Sequence, residues 1–174
     1  MRILGIDTNS YYLALTTIEN GRYVESVLLP PERAALSPSK RKAAVRGGPS
    51  SRERLDLMID ALETYIPVPT AVGHPDYVVV EEPPFVNSVK TFAALTAVVM
   101  VTRHFFKLYG TPVGLVNVST WKRATTGNAK ADKTEVMEWV KAHAGMPDGL
   151  SEDEYDAGAI AFMAAVNAGD VHRG

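Results

Sequence analysis

The 174-residue chain has no cysteine. Disulfides, zinc–thiolate sites and thiol nucleophiles are therefore excluded. It also lacks a strong charge of either sign. Eighteen basic residues stand against twenty acidic ones, a formal net charge of −2. Binding to nucleic acid by bulk positive charge is excluded, so any such contact must come from local patches. No long hydrophobic run is present. The longest apolar-rich stretch, Phe92 to Val101, is about half a bilayer span and runs into Arg103 and His104. The opening Met1-Arg2-Ile3-Leu4-Gly5-Ile6-Asp7 reaches an acid too early for a signal peptide. These absences lead us to expect a cytoplasmic protein without a membrane segment. Four histidines, His74, His104, His143 and His172, show no metal-ligand spacing.

What the chain does hold is the composition of a globular protein, 46% apolar and 22% charged. At about 150 residues per domain its length fits one domain over 1–174. Residues 2–7, 11–18 and 22–29 are three apolar runs, the last two separated by Glu19-Asn20-Gly21. Asn-Gly is the strongest short hairpin signal, so three antiparallel strands are predicted. Residues 30–51 carry several prolines and glycines with Arg33, Lys40, Arg41, Lys42 and Arg46. They read as a long, flexible, basic loop, either a solvated connection or a phosphate-contacting segment.

Helical spacing follows from Arg52 to Ile66, then a β-branched strand at Tyr77–Val80 that runs into Glu81 and Glu82. A long helix, apolar on most sides, spans 88–108, and a further strand spans 112–118. Asp132 caps a helix over 133–144, which Gly145 stops. Ser151 and Glu154 form a capping box at the start of the last helix. The order predicts an α/β fold with a mixed sheet of about five strands flanked by helices.

Four acids stand at chemically suggestive places. Asp7 ends the first strand, where it either caps the turn Thr8-Asn9-Ser10 or serves a site. Glu81 ends a strand expected to be central, and ligands of α/β sheets gather at such ends. Asp153 and Asp156 are three apart and share one helix face. Asp156 lies on a stripe with Ile160 and Met163, the side facing the core. An oxygen cluster without His or Cys suits a hard cation, Mg²⁺ or Mn²⁺. Two such ions about 4 Å apart can hold a phosphodiester between them. Lys122, Arg123, Lys130 and Lys133 surround the turn Thr125-Thr126-Gly127-Asn128, within reach of a phosphate backbone. Trp121 and Trp139 read as core or interface residues.

Four segments in this order resemble the RuvC family of Holliday-junction resolvases, within the RNase H-like superfamily. They are Ile3-Leu4-Gly5-Ile6-Asp7, Pro75-Asp76-Tyr77-Val78-Val79-Val80-Glu81, the stretch from Trp121-Lys122-Arg123 to Lys133-Thr134-Glu135-Val136, and Asp153 to Ala161. The resemblance implies an RNase H-like fold and an acidic tetrad of Asp7, Glu81, Asp153 and Asp156 binding two Mg²⁺, with Mn²⁺ able to substitute. It implies that Lys122 and Lys133 serve the scissile phosphate or its neighbours. Phe85 resembles the family aromatic at the junction branch point, and Lys90 continues that segment. Arg123, Lys130 and the loop residues Lys40, Arg41 and Lys42 are the further expected DNA contacts. The implied activity is paired, Mg²⁺-dependent cleavage of a four-way DNA junction by a homodimer. Thr8-Asn9 in place of the family's Pro-Gly, and Pro83-Pro84 before Phe85, fit a divergent member of bacteriophage type. Two other readings remain: an RNase H-like nuclease for forks, flaps or RNA–DNA hybrids, and a non-catalytic actin-like scaffold of tRNA modification.

Overall fold

Asn20 and Gly21 both adopt a left-handed backbone, with φ of 49° and 76°. A two-residue hairpin turn demands that geometry, because its twist matches the strands it joins. The turn links β2 (Leu13–Glu19) to β3 (Arg22–Leu29) in the computed structural model, as the sequence predicts. The structure describes residues 1–9, 11–29, 51–66, 73–83 and 88–169. Phe85 and the loop residues Lys40, Arg41 and Lys42 lie outside these residues. Ser51, expected to end the basic loop, instead opens helix α1 (Ser51–Tyr65).

The sheet is completed by β1 (Arg2–Thr8), β4 (Tyr77–Glu81) and β5 (Val113–Val116). Its order is β3-β2-β1-β4-β5. β1 runs antiparallel to β2 but parallel to β4, and β4 parallel to β5. The expected five-stranded mixed sheet is therefore the one found.

Strand alternation divides the core into two layers. Leu4, Ile6, Val78 and Val80 face α1 and helix α2 (Val89–Leu108). α2 is apolar and long enough to cross a bilayer by length and composition. Here its Leu95, Val98, Val99, Phe105 and Phe106 are buried. Ile3, Val79 and Val116 face the opposite layer of α3 (Val118–Thr126), α4 (Lys133–Ala144) and α5 (Glu152–Asn167).

α3 departs from expectation. The sequence reading placed a strand through residue 118 and a basic turn beyond it. β5 instead stops at Val116, and Asn117 caps a helix through its side chain, which accepts from the Ser119 N–H at 3.0 Å. Gly127 ends that helix with φ of 80°. Trp121 and Thr125, four apart, share the buried face of this helix, but the apolar run of β5 continues into Val118 and masks the start that Asn117 caps. α4 and α5 begin with complete capping boxes, Asp132 with Glu135 and Ser151 with Glu154, as predicted.

A close approach of strand and helix sets the site. A Cβ on Gly5 would lie 2.0 Å from the Ala157 carbonyl oxygen and 2.7 Å from the Ala161 nitrogen. α5 thus rests its backbone directly on β1, which only glycine permits.

Candidate metal centre

The parallel register pairs Ile6 with Val80, so Asp7 and Glu81 follow at the carboxyl ends of adjacent strands. Alternation turns Asp7 to the side of Ile3 and Gly5, and Glu81 to the side of Val79; that side is covered by α5. Asp153 and Asp156 lie in the first turns of α5, whose backbone touches Gly5 two residues before Asp7. Asp7, Asp153 and Asp156 each bring a carboxylate oxygen within 4.8 Å of the others. Glu81, 8% exposed, borders this trio and accepts a hydrogen bond on Oε2 from Trp121 Nε1 at 2.8 Å.

Two further donors hold the acids. Lys133, the first residue of α4, donates to Asp156 Oδ2 and lies 3.7 Å from Asp153 Oδ1. The Tyr12 hydroxyl donates to Asp153 Oδ2. Asp156 Oδ1 is buried with no hydrogen-bond partner.

Electrostatics reports an excess of negative charge. Burial raises the Asp7 carboxyl well above its ordinary value, and repulsion from Glu81, Asp153 and Asp156 adds to it. Burial pushes Glu81 up to about 7 against the opposing Trp121 hydrogen bond. Asp156 is raised by burial despite Lys133 beside it. Burial pulls the Lys133 ammonium down, but the Asp156 charge and hydrogen bond, with Asp153 and Asp7, leave it raised overall. One lysine does not neutralise four carboxylates. An all-oxygen donor set, an excess of negative charge and an orphaned buried oxygen fit a hard divalent cation.

The other expected residues fall as follows. Lys122 Nζ donates to the Ala131 carbonyl at 2.6 Å and lies 5.6 Å from the Trp121 ring centroid. Its charge lowers the Glu81 and Asp156 carboxyls, which puts it on the rim of the centre. Arg123 and Lys130 are exposed on α3 and in the turn after it. Lys90 is exposed in the first turn of α2. Trp121, expected in the core or an interface, is in the core and also donates to Glu81. Tyr12 escaped the sequence reading. Its partner is 141 residues away, and no local pattern marks such a pair.

No protein-family model and no curated protein sequence matches the chain. Among solved structures it is similar to Thermus thermophilus RuvC in complex with a Holliday junction substrate. That match has a TM-score of 0.72 and 21% identity, covering 97% of this chain and 94% of that one. A second Thermus thermophilus RuvC structure gives 0.69 and 20%, over 97% and 95% of the two chains. A fowlpox virus resolvase with its substrate Holliday junction DNA gives 0.51 and 15%, over 95% and 99%. Over 97% of its length the chain is therefore similar in fold to RuvC, an RNase H-like fold, with Asp7 and Glu81 at the carboxyl ends of adjacent parallel strands and Asp153 and Asp156 on the helix packed across them.

Proposed function

We propose that this chain is a divalent-metal-dependent endonuclease that resolves four-way DNA junctions. The observation that carries the reading is the convergence of Asp7, Asp153 and Asp156 within 4.8 Å, with Asp156 Oδ1 buried and unpartnered. The relatives of like fold bound to Holliday junction DNA support the substrate class.

In this reading Asp7, Glu81, Asp153 and Asp156 hold two Mg²⁺, for which Mn²⁺ substitutes. The ions supply Lewis-acid activation of water and stabilisation of the leaving oxygen. The chain's own residues do the rest. α5 and the ends of β1 and β4 fix the carboxylates in a partly buried cleft, where charge interactions are weakly screened. Lys133, with its side chain 44% exposed, keeps Asp153 and Asp156 together and presents an ammonium to the scissile phosphate. Lys122 steadies the loop before α4 through the Ala131 carbonyl and adds positive charge on the rim. Arg123, Lys130 and Lys90 contact the DNA backbone; Lys40, Arg41 and Lys42 extend that path, and Phe85 works at the branch point. A second copy of the chain covers the exposed Val89, Phe92 and Met100 of α2, so that two centres cut two strands. The whole of 1–174 acts as one nuclease domain in the cytoplasm.

The test offers purified protein and Mg²⁺ an immobile four-way junction, a fork, a linear duplex and an RNA–DNA hybrid. Wild type is assayed beside Asp7→Asn. Paired, Asp7-dependent nicks confined to the junction are expected. Equal cutting of forks or hybrids would keep the metal centre and replace the substrate. No cutting with Mg²⁺ or Mn²⁺ would overturn the nuclease reading in favour of a binding scaffold.

A further inference from the structure

We infer that Trp121 is a positioning residue of the metal centre: its indole N–H holds Glu81 Oε2, so that Glu81 Oε1 is the oxygen that would serve a cation. The inference rests on the metal-dependent reading above and concerns how the acids are aimed.

An indole is a donor only, and a buried one needs an acceptor. Trp121 is 1% exposed, and Glu81 Oε2 at 2.8 Å is its acceptor. The donor is built on a rigid mount. α3 is capped at both ends by Asn117 and Gly127. The ring is packed in the layer that holds Val136, Val140 and Ile160. Thr125 Oγ1 donates to the Trp121 carbonyl at 2.9 Å, and the Lys122 ammonium lies near the ring.

The arrangement repeats around the centre. Trp121 holds one oxygen of Glu81, Tyr12 one oxygen of Asp153, and Lys133 one oxygen of Asp156. Each of the three carboxylates therefore has one oxygen fixed by protein, with Glu81 Oε1, Asp153 Oδ1 and Asp156 Oδ1 as the second. Fixing one oxygen selects a single rotamer and favours one-oxygen ligation, as outer-shell donors do at metal sites. A side chain needed only to fill this space would require no N–H. The indole N–H is also what keeps a buried carboxylate oxygen from being left unpaired.

Trp121→Phe keeps an aromatic ring and deletes the donor. Calorimetry with Mn²⁺ is expected to show roughly 10–100-fold weaker binding. Junction cleavage by the variant should recover as Mn²⁺ is raised, because the loss is of affinity. A lower melting temperature with unchanged Mn²⁺ affinity would overturn the inference and leave Trp121 a packing residue. A second measurement leaves Trp121 intact. Trp139 stacks on His143 in α4, with ring centroids 4.1 Å apart, and Trp139→Phe leaves Trp121 as the sole indole emitter. Its emission should change on adding Mg²⁺, with the midpoint that calorimetry gives. Calorimetric binding with silent emission would overturn this inference alone. Absence of Mg²⁺ and Mn²⁺ binding by the wild type would overturn the metal reading and this inference with it.

Discussion

Gly5 of β1 and Ala157 of α5 meet backbone to backbone, leaving no room for a side chain between strand and helix. Asp7 stands two residues beyond the first, and Asp156 one residue before the second. The contact thus sets the distance between the acids contributed by strand and helix. Gly5→Ala would place a methyl 2.0 Å from the Ala157 carbonyl oxygen, so α5 must move away. Overpacking of this kind costs about 1–3 kcal/mol, and more where the backbone itself must shift. The variant should melt lower and lose metal affinity together, by differential scanning fluorimetry and Mn²⁺ calorimetry. Wild-type affinity in a folded Gly5→Ala protein would show that α5 is not what sets the spacing.

Asp7→Asn separates stability from activity. The Asp7 carboxylate is crowded by burial and by Glu81, Asp153 and Asp156. Neutralising it removes repulsion, so the metal-free variant should melt above the metal-free wild type. It also removes a metal ligand of the proposed centre, so cleavage should fall by roughly 10³-fold or more, the loss of several kcal/mol of transition-state stabilisation. Junction binding, measured by mobility shift, should stay near wild type. A metal-free variant that melts lower than wild type would refute the crowding argument.

Much of this centre is legible in the sequence, and what is not has a common cause. Asp7, Glu81 and Asp156 announce themselves because charge at the end of an apolar strand, or on the core-facing stripe of a helix, contradicts its surroundings; Asp153 alone suits the helix dipole and is marked only by sharing a face with Asp156. Asn20-Gly21, Asp132 with Glu135 and Ser151 with Glu154 are local signals and lie where the sequence puts them. Tyr12 and Trp121 were not read as parts of the centre, because each is defined by a partner 141 or 40 residues away. Nothing in their own neighbourhoods, Ser119-Thr120 before Trp121 and Ser10-Tyr11 before Tyr12, marks those distant partners. α3 is hidden differently, because the apolar run Val113–Val116 continues into Val118 and the strand pattern overruns the Asn117 cap.

The pH dependence of stability has a definite sign. Glu81 holds its proton up to about 7 in the folded protein, against 4.5 for an ordinary glutamate. Between those values the unfolded chain has released the proton and the folded chain keeps it. Stability attributable to Glu81 is therefore full below about pH 4.5, falls as pH rises toward 7, and levels off above. The total is about 3 kcal/mol. Melting of wild type against Glu81→Gln in EDTA should show their difference moving against wild type across that window. Mg²⁺ binds the ionised form, so its stabilisation of wild type should grow with pH over the same range. A difference that moves in favour of wild type as pH rises would contradict the burial of Glu81 as its dominant influence.

The basic segment around Lys40, Arg41 and Lys42 gives a prediction that salt can read. Lys40, Arg41 and Lys42 are expected to touch phosphate, as are Arg123 and Lys130, which are exposed on α3 and in the turn after it. Each phosphate contact contributes about 0.9 to the slope of log affinity against log salt. Replacing the three loop residues with alanine should weaken junction binding and reduce the slope by up to about 3. Replacing Arg123 and Lys130 should reduce it by up to about 2. An unchanged slope in the first variant would remove the loop from the DNA path and leave α3 with its following turn to carry it.

The exposed face of α2 gives the last prediction. Val89 is 83% exposed, Phe92 41% and Met100 45%, all on a helix whose opposite side is packed into the core. Large apolar groups held in water on one stripe favour burial against a like surface, at about 25 cal/mol per Å² removed from water. Phe92→Glu puts a charge in the middle of that contact without touching the buried Leu95, Val98 and Val99. If the homodimer proposed above forms through this face, wild type should sediment as a dimer and the variant as a monomer that keeps its Mn²⁺ affinity, since the acids Asp7, Asp153 and Asp156 meet within one chain. On a four-way junction it should give single nicks in place of paired ones. A variant that stays dimeric and still cuts in pairs would move the interface off α2. A variant that loses Mn²⁺ affinity would show that the metal centre depends on the second copy.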